Sequence, residues 1–225
     1  MREPLVLSKP SGIPCFPFHS DPKSDCLLHR LLQKYPEQEN KDWPDGFEGG
    51  IAHRLDVATS GQILVALDPE HLIEMRTLFA KKKLQKTYYF LSQRKVPWKK
   101  NSLALPIAHE RRRAKRMIVQ RGQNTPKKGK WHQAETFFEH VKGRFGLHLW
   151  KAEMRTGVMH QIRAHGSFAG IALLGDRLYA GGEAPKYFPV NFALHHYGVQ
   201  YDEWNLQKIP LPEWWPKWTK DLNLD

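Results

Sequence analysis

The chain has 225 residues, of which 40% are hydrophobic and 12% aromatic, so it is long and apolar enough to bury a core as one domain. Two cysteines, Cys15 and Cys26, provide neither a disulfide framework nor a repeated metal-binding spacing. No apolar run is long enough for a secretory signal peptide or a membrane span, which predicts a cytoplasmic protein that does not enter a membrane.

The formal net charge of +12 is concentrated in one segment. Residues 76–131 contain 18 lysines and arginines and a single acid, Glu110, whereas the rest of the chain is mildly acidic. A solvated protein surface normally interleaves basic and acidic residues. A basic segment without this interleaving predicts contact with a nucleic-acid backbone.

Hydrophobic periodicity, taken in chain order, predicts both strands and helices. Residues 62–67 and 87–91 are predicted as strands, and between them Asp68 and Pro69 provide the cap and the first position of a helix. Residues 111–130 are rich in Lys and Arg and are interrupted by glycine and proline, which predicts a flexible basic loop. Residues 134–141 and 147–154 form a predicted hairpin, residues 159–169 a helix, and residues 192–201 a last strand. This order favours a single α+β domain over residues 1–225, with a mixed, mostly antiparallel sheet and flanking helices.

Residues 53–61 place a carboxylate close to an arginine, just before a Thr-Ser-Gly turn. The carboxylate is Asp56, and Arg54 precedes it by two positions. An ionised carboxylate can act as the nucleophile in covalent catalysis. An Arg-x-Asp sequence is equally compatible with a structural ion pair, so this stretch by itself leaves both interpretations open.

Further motifs follow in a fixed order along the chain. They are Lys9-Pro10-Ser11-Gly12-Ile13-Pro14, His53-Arg54-Leu55-Asp56 with Thr59-Ser60-Gly61, Lys86-Thr87-Tyr88, Arg155-Thr156-Gly157 with His160-Gln161-Ile162-Arg163, and Gly175-Asp176-Arg177-Leu178-Tyr179. In this ordered set the chain resembles the RluA-type family of RNA pseudouridine synthases over nearly its whole length. The resemblance implies an isomerase that needs neither a metal nor a redox cofactor. It also implies a single catalytic domain with a central cleft crossing the sheet, without the separate N-terminal RNA-binding domain of many relatives.

The resemblance implies three catalytic residues. Asp56 corresponds to the nucleophile, Tyr88 to the residue at the target base, and Arg163 to the partner of the carboxylate. A neighbouring guanidinium keeps a carboxylate charged inside a closed cleft. A phenol ring can stack on a uracil turned out of its helix, and its hydroxyl can take part in proton transfer. Because side chains alternate along a strand, the adjacent Tyr89 is expected to face the opposite way.

The helix predicted over residues 159–169 has two distinct stripes. His160, Arg163 and Ser167 share one stripe, which can line a cleft, and Met159, Ile162 and Gly166 share another, which can pack. His160 and His165 point in different directions and have no cysteine pair beside them, which argues against a zinc site.

The resemblance also implies residues that contact the RNA. Arg54 is expected at the gap left by the extruded base or at its phosphate, and Lys9 can touch a phosphate. His53 is expected to lie beside the substrate and to support the loop that carries Asp56. The other predicted substrate-binding residues are Ile162, His160, Lys86, Arg111, Arg112 and Arg113. The Gly175-Asp176 pair is interpreted as an architectural turn. Val158 and Met159 depart from the family pattern, which affects the expected RNA contacts but not the chemistry.

Two other functions are compatible with parts of the sequence. An RNA-binding or RNA-folding protein of the same fold would keep the basic segment without needing Asp56, Tyr88 and Arg163. A carboxylate-based glycosidase or nucleotide hydrolase requires a second acid, and none lies near Asp56 in the sequence. The expected partner is RNA, either ribosomal or transfer RNA, and the protein is expected to act as a monomer without a cofactor.

Overall fold

A seven-stranded sheet forms the centre of the computed structural model, which describes residues 2–113 and 115–224. The strands are β1 Leu5–Lys9, β2 Ser60–Val65, β3 Gln85–Ser92, β4 Lys100–Leu103, β5 Ile107–Glu110, β6 Met117–Val119, β7 Lys127–His132, β8 Thr136–Arg144, β9 Leu147–Met154 and β10 Leu194–Gln200. The helices are α1 Leu27–Lys34, α2 Pro69–Ala80, α3 Gln161–Phe168 and α4 Lys217–Lys220. None of these helices is long and apolar enough to cross a membrane.

The strand order in the large sheet is β1-β2-β10-β3-β9-β8-β4, and every pairing except β2 with β10 is antiparallel. The predicted α+β class with a mixed, mostly antiparallel sheet is therefore confirmed. The predicted hairpin is β8 and β9, and its first strand continues further into the turn than the sequence pattern indicated. Because β10 lies between β2 and β3, this late strand brings the segments that carry Asp56 and Tyr88 side by side.

Gly61 is the point at which β2 and β10 meet. Its φ is +120°, and a Cβ atom at this position would lie 2.1 Å from the backbone oxygen of His196. Only glycine therefore allows β10 to approach this closely. Gly61 ends the Thr-Ser-Gly turn and lies in β2, so it connects the loop that carries Asp56 to the sheet.

The helix α2 begins as its capping residues predict. Asp68 accepts a 2.8 Å hydrogen bond from the backbone N–H of His71, and Pro69 occupies the first helical position. Its buried Leu72 and Met75 pack against Leu64 of β2. The neighbouring residues on β2, Ile63 and Val65, pack with α1 instead. This alternation places one helix on each face of the strand.

A second sheet, in the order β6-β5-β7, includes residues 117–119 and 127–130 of the segment predicted as a flexible loop over residues 111–130. The prediction of a structureless loop is wrong for β6 and β7. Met117 and Val119 are buried and pack with Ala164 of α3 and with Tyr179. The many Lys and Arg residues of this segment obscured the apolar alternation at Met117 and Val119 in the sequence. These two strands of the Lys- and Arg-rich stretch over residues 111–130 therefore belong to a small sheet that packs against α3.

The second face of the central strands is covered by the C-terminal segment. Tyr89 and Leu91 pack there with Trp215 and Trp218, whereas Tyr88 belongs to the cluster on the opposite face. The expectation that Tyr88 and Tyr89 face opposite ways is confirmed.

Candidate active site

The loop that carries Asp56 is fixed by the first strand and the segment after it. The Lys9 ammonium is buried and donates hydrogen bonds to the backbone oxygens of Pro10, Ile13 and Val57 at 2.9, 2.6 and 3.2 Å. The Gly12 N–H also donates to Val57 O, at 2.8 Å. Burial lowers the pKa of Lys9 to about 8. Lys9 therefore holds the loop next to Asp56, and the prediction that it touches a phosphate is wrong.

Asp56 lies against the guanidinium of Arg163. The distance from Arg163 Nη1 to Asp56 Oδ2 is 3.1 Å, although the two residues are 107 positions apart. The Asp56 side chain is 36% exposed, so the carboxylate remains partly open to solvent. The predicted pairing of these two residues is present in the structure.

Arg163 has a second acidic partner that the sequence reasoning missed. Its Nε and Nη2 donate to the two carboxylate oxygens of Asp176 at 2.6 and 3.0 Å. Burial opposes the charged guanidinium, but the Asp176 hydrogen bonds and the charges of both aspartates outweigh this effect and raise the pKa of Arg163. Asp176 is therefore the residue that orients Arg163, whereas the sequence had suggested only an architectural turn.

The adjacent Gly175 does have the predicted architectural role. Its φ is +87°, and a Cβ atom would lie 1.9 Å from the backbone oxygen of Asn191. The close approach of these two backbones requires glycine and fixes the chain immediately before Asp176. In the sequence, Asp176 is marked only by its position directly after this glycine. No neighbouring residue indicated that its partner is Arg163.

His160 and Tyr179 continue the network away from Asp56. The phenol oxygen of Tyr179 accepts a hydrogen bond from Met117 N–H at 2.8 Å, so its own hydrogen is available to His160 Nδ1 at 3.0 Å. This assigns the imidazole hydrogen to Nε2, which lies 3.7 Å from Asp56 Oδ2. Burial and the Arg163 charge lower the pKa of His160, so the imidazole is neutral next to Asp56.

Tyr88 lies on the same side as Asp56 and stacks on a histidine. The ring centroids of Tyr88 and His196 are 4.4 Å apart, and their planes differ by 21°. His196 Nδ1 donates to the backbone oxygen of Gln62 at 2.6 Å. Burial, reinforced by the Asp56 charge, raises the pKa of Tyr88, so the phenol is protonated at neutral pH. His196 fixes the plane of the ring, and no motif had pointed to it.

Three residues predicted to bind substrate pack against neighbouring side chains: His53 is half-buried, and Lys86 and Ile162 are buried. His53 Nε2 accepts a hydrogen bond from Leu64 N–H at 3.1 Å, and its ring packs against Phe79, so His53 buttresses the loop as expected. Lys86 is 6% exposed, and burial lowers its pKa to about 8. Ile162 packs in the same cluster as Tyr88, as predicted for its stripe. The structure places these three side chains in supporting positions, and their contact with the substrate stays a prediction.

The remaining predicted contacts are exposed. Arg54 lies at the surface next to Asp56, and Arg111, Arg112 and Arg113 lie at the surface of the segment between β5 and β6. Met159, which was expected to pack, is also exposed because it precedes the first turn of α3.

The two histidines considered as metal ligands bind different partners. His165 is buried, with Nδ1 at 2.8 Å from Thr136 Oγ1 and Nε2 at 3.0 Å from Leu105 O, whereas His160 contacts Tyr179. No group of three or more His, Cys, Asp or Glu side chains that could hold a metal ion occurs in residues 2–113 and 115–224.

Three histidines with lowered pKa values predict loss of stability in mild acid. Burial lowers the pKa of His53 to about 3 and of His195 to about 4, and that of His196 well below the ordinary value of about 6.5. Below pH 6.5 the unfolded chain therefore binds protons that the folded chain does not, and the free energy of unfolding falls as pH decreases. Urea unfolding between pH 6.5 and 5 should show this slope, up to about 1.4 kcal/mol per pH unit for each histidine.

The variant His196→Phe tests this explanation. It keeps an aromatic ring beside Tyr88 but removes one group that titrates. The number of protons taken up on unfolding, which the slope gives, should therefore decrease by about one. A slope that is the same in both proteins would contradict the assigned protonation states.

Comparison with known proteins relates this arrangement to an RNA-modifying family. A model of the RNA pseudouridylate synthase family matches residues 3–167. An uncharacterized RNA pseudouridine synthase from Haemophilus influenzae is 35% identical over 175 residues, which cover 78% of this chain and 69% of that protein. The dual-specificity RNA pseudouridine synthase RluA from Salmonella typhimurium is 28% identical, and the aligned region covers 82% of this chain and 77% of that protein.

Some relatives are considerably longer than the matched region. The uncharacterized RNA pseudouridine synthase YhcT from Bacillus subtilis is 32% identical, but the match covers 79% of this chain and only 55% of YhcT. Among solved structures, human RNA pseudouridylate synthase domain containing 4 matches 92% of this chain and 85% of that chain, with a TM-score of 0.71 and 19% identity. At this identity the structural match supports the fold alone.

Proposed function

Because the chain belongs to the RluA-type family of RNA pseudouridine synthases, which are isomerases, we propose that it converts uridine in RNA to pseudouridine with Asp56 as the nucleophile. The observation that carries the proposal is the Asp56 carboxylate, which is partly open to solvent and contacts Arg163 Nη1 at 3.1 Å. The guanidinium holds the carboxylate in position, and a carboxylate can act as the nucleophile in covalent catalysis.

The reaction exchanges one bond of the uracil ring for another. The bond between ribose C1′ and uracil N1 breaks, a bond between C1′ and C5 forms, C5 loses a proton and N1 gains one. In the proposed mechanism, Asp56 forms a transient covalent bond either to C1′ or to the uracil ring, and both routes return the carboxylate unchanged. His160 and Arg163 position the carboxylate during this cycle.

Tyr88 is proposed to contact the target base. Its ring is held by His196, so it can pack against uracil without losing further conformational freedom. Its raised pKa favours a protonated phenol that donates a hydrogen bond. Acceptance of the C5 proton by Tyr88 would require a neighbouring group to lower that pKa.

The proposed substrate is structured RNA, ribosomal or transfer RNA, which a monomeric protein would modify in the cytoplasm. The basic segment between residues 76 and 131 supports RNA as the partner. Arg54, next to Asp56, is proposed to hold the gap left by the extruded uridine or to bind its phosphate.

Release of tritium tests the proposed activity directly. Total RNA labelled with tritium at uracil C5 should lose its label to water when it is incubated with the protein. Mapping of pseudouridines in RNA with and without the gene product should then identify the modified position. If no RNA releases tritium, the proposed reaction is wrong.

The exposed arginines predict a specific change in salt dependence. Replacing Arg111, Arg112 and Arg113 by Gln should weaken RNA binding and reduce the slope of log Kd against log salt concentration by about two, since each phosphate contact contributes about 0.7 to 0.9. The rate of the chemical step at saturating RNA should change little. Anisotropy titrations at several KCl concentrations measure the slope.

A matched variant controls for the loss of net charge. Lys23, Lys186 and Lys217 are exposed and lie outside the basic segment, so their replacement by Gln should leave the slope nearly unchanged. Equal slopes for wild type and the triple arginine variant would exclude these arginines from the RNA interface.

A further inference from the structure

A cavity of about 800 Å³ lies between the small sheet and α3. Its lining includes Arg111, Arg112, Arg116, Arg121, Phe168 and Tyr179, but not Asp56. Cavities of this size accommodate small organic molecules and are large enough for a nucleotide. We propose that this cavity binds a second nucleotide of the RNA substrate, in addition to the uridine at Asp56. The identification of the ligand as RNA rests on the proposed function.

The charges of the cavity favour an anion. Arg116 is neutralised by Glu110, with 3.0 Å between Arg116 Nη1 and Glu110 Oε2, and its Nε donates to the backbone oxygen of Leu178. Among the described residues, no carboxylate forms an ion pair with the other three arginines, at positions 111, 112 and 121. Exposed guanidinium groups without acidic partners are suited to bind phosphate oxygens.

The other wall of the cavity suits a base. Met117, Val119 and Ala164 are buried and contribute an apolar lining. The ring of Phe168 at the end of α3 is 39% exposed, and the Arg121 guanidinium lies 5.8 Å from its centroid. Nucleic-acid bases stack on aromatic rings and on guanidinium planes. An acidic peptide would use the arginines but would not need the exposed ring, so the combination favours a nucleotide.

Tyr179 connects this cavity to the Asp56 site. The residue lines the cavity, while its hydroxyl bonds to His160 and its ring contacts the Arg163 guanidinium at 5.0 Å. Tyr179 and His160 therefore stand between the cavity and Asp56. A nucleotide in the cavity and a uridine at Asp56 can belong to one RNA strand, so occupancy of the cavity would position the target uridine.

RNA binding by variants of the cavity tests the inference. The probe is a fluorescein-labelled single-stranded decauridylate, and anisotropy is recorded at several KCl concentrations with Asp56→Asn in every protein to prevent turnover. Phe168→Ala should weaken binding at least about fivefold with an unchanged salt slope, since stacking involves no charge. Arg121→Gln should weaken binding and reduce the slope by about 0.7.

The turn between β8 and β9 provides matched controls. There the Arg144 guanidinium lies 4.8 Å over the ring of Phe145, which is 82% exposed. Phe145→Ala and Arg144→Gln remove the same groups from a pair outside the cavity, and both should bind the probe within twofold of the parent protein. Phe168→Leu keeps an apolar side chain and should lose binding as Phe168→Ala does, which separates stacking from folding.

Several outcomes would overturn the inference. If Phe168→Ala binds as well as Phe145→Ala, or if only Arg121→Gln weakens binding, the cavity does not hold a base. Displacement of the probe by oligoglutamate as effectively as by unlabelled decauridylate would identify an acidic protein partner instead. If wild type releases tritium while Phe168→Ala binds normally, this inference fails alone. If no RNA releases tritium but the cavity variants lose binding, the proposed reaction fails and the nucleotide site stands.

Discussion

Replacing Asp56 by Asn should abolish tritium release from RNA labelled at uracil C5, lowering the rate by about 10⁴-fold or more, as expected for loss of a covalent nucleophile. An amide does not form the covalent intermediate that a carboxylate forms. The substitution preserves the size of the side chain, and its amide oxygen can still accept from Arg163 Nη1. Initial rates of wild type and variant, measured side by side at saturating RNA, provide the comparison.

Folding and RNA affinity serve as controls for this variant. Asp56 is partly exposed and bonds to Arg163, so the urea midpoint should change little. RNA should bind within a few-fold of wild type. Equal tritium release from both proteins would exclude Asp56 as the nucleophile. If the Asp56→Asn protein rescued a deletion strain as well as wild type, the cellular role would instead be RNA binding or RNA folding.

Replacing Arg163 by Met should affect both activity and stability. The buried carboxylate of Asp176 would lose both of its hydrogen bonds from the guanidinium, and breaking a buried ion pair in this way costs about 3–5 kcal/mol of unfolding free energy. Asp56 would also lose its cationic partner, so tritium release should fall by at least about 10²-fold. Urea unfolding and the tritium assay measure the two effects separately.

A double variant separates the structural role of Arg163 from its role at Asp56. In Arg163→Met with Asp176→Leu, no unpaired carboxylate remains buried at position 176, so most of the lost stability should return. Activity should not return, because Asp56 still lacks its guanidinium. A stable double variant with wild-type activity would show that Arg163 serves the fold alone. Arg163→Lys should recover only part of the activity, since an ammonium cannot bond to both aspartates with the fork geometry of arginine.

The sequence identified the residues whose signals are local. The Asp68 cap and Pro69 predicted the start of α2, because the hydrogen bonds that begin a helix involve residues within one turn. Alternation along β3 separated Tyr88 from Tyr89, since successive side chains of a strand point to opposite faces. The pairing of Asp56 with Arg163 was also predicted from the sequence. That prediction came from the resemblance of the ordered motifs to the family and not from any spacing in the chain.

Only the tertiary structure decided which polar groups are buried and which partners they have. Lysine is a residue type that commonly contacts RNA phosphates, yet Lys9 and Lys86 are both buried beneath the site. Asp176 follows a glycine turn, and only the position of α3 brings Arg163 to it. Met117 and Val119 form a strand within a basic segment because α3 and Tyr179 cover them. Helix caps and hydrophobic periodicity are encoded within a few neighbouring residues, so the sequence by itself determined them. Burial and ion pairing depend on which distant segments meet, so only the tertiary structure decided them.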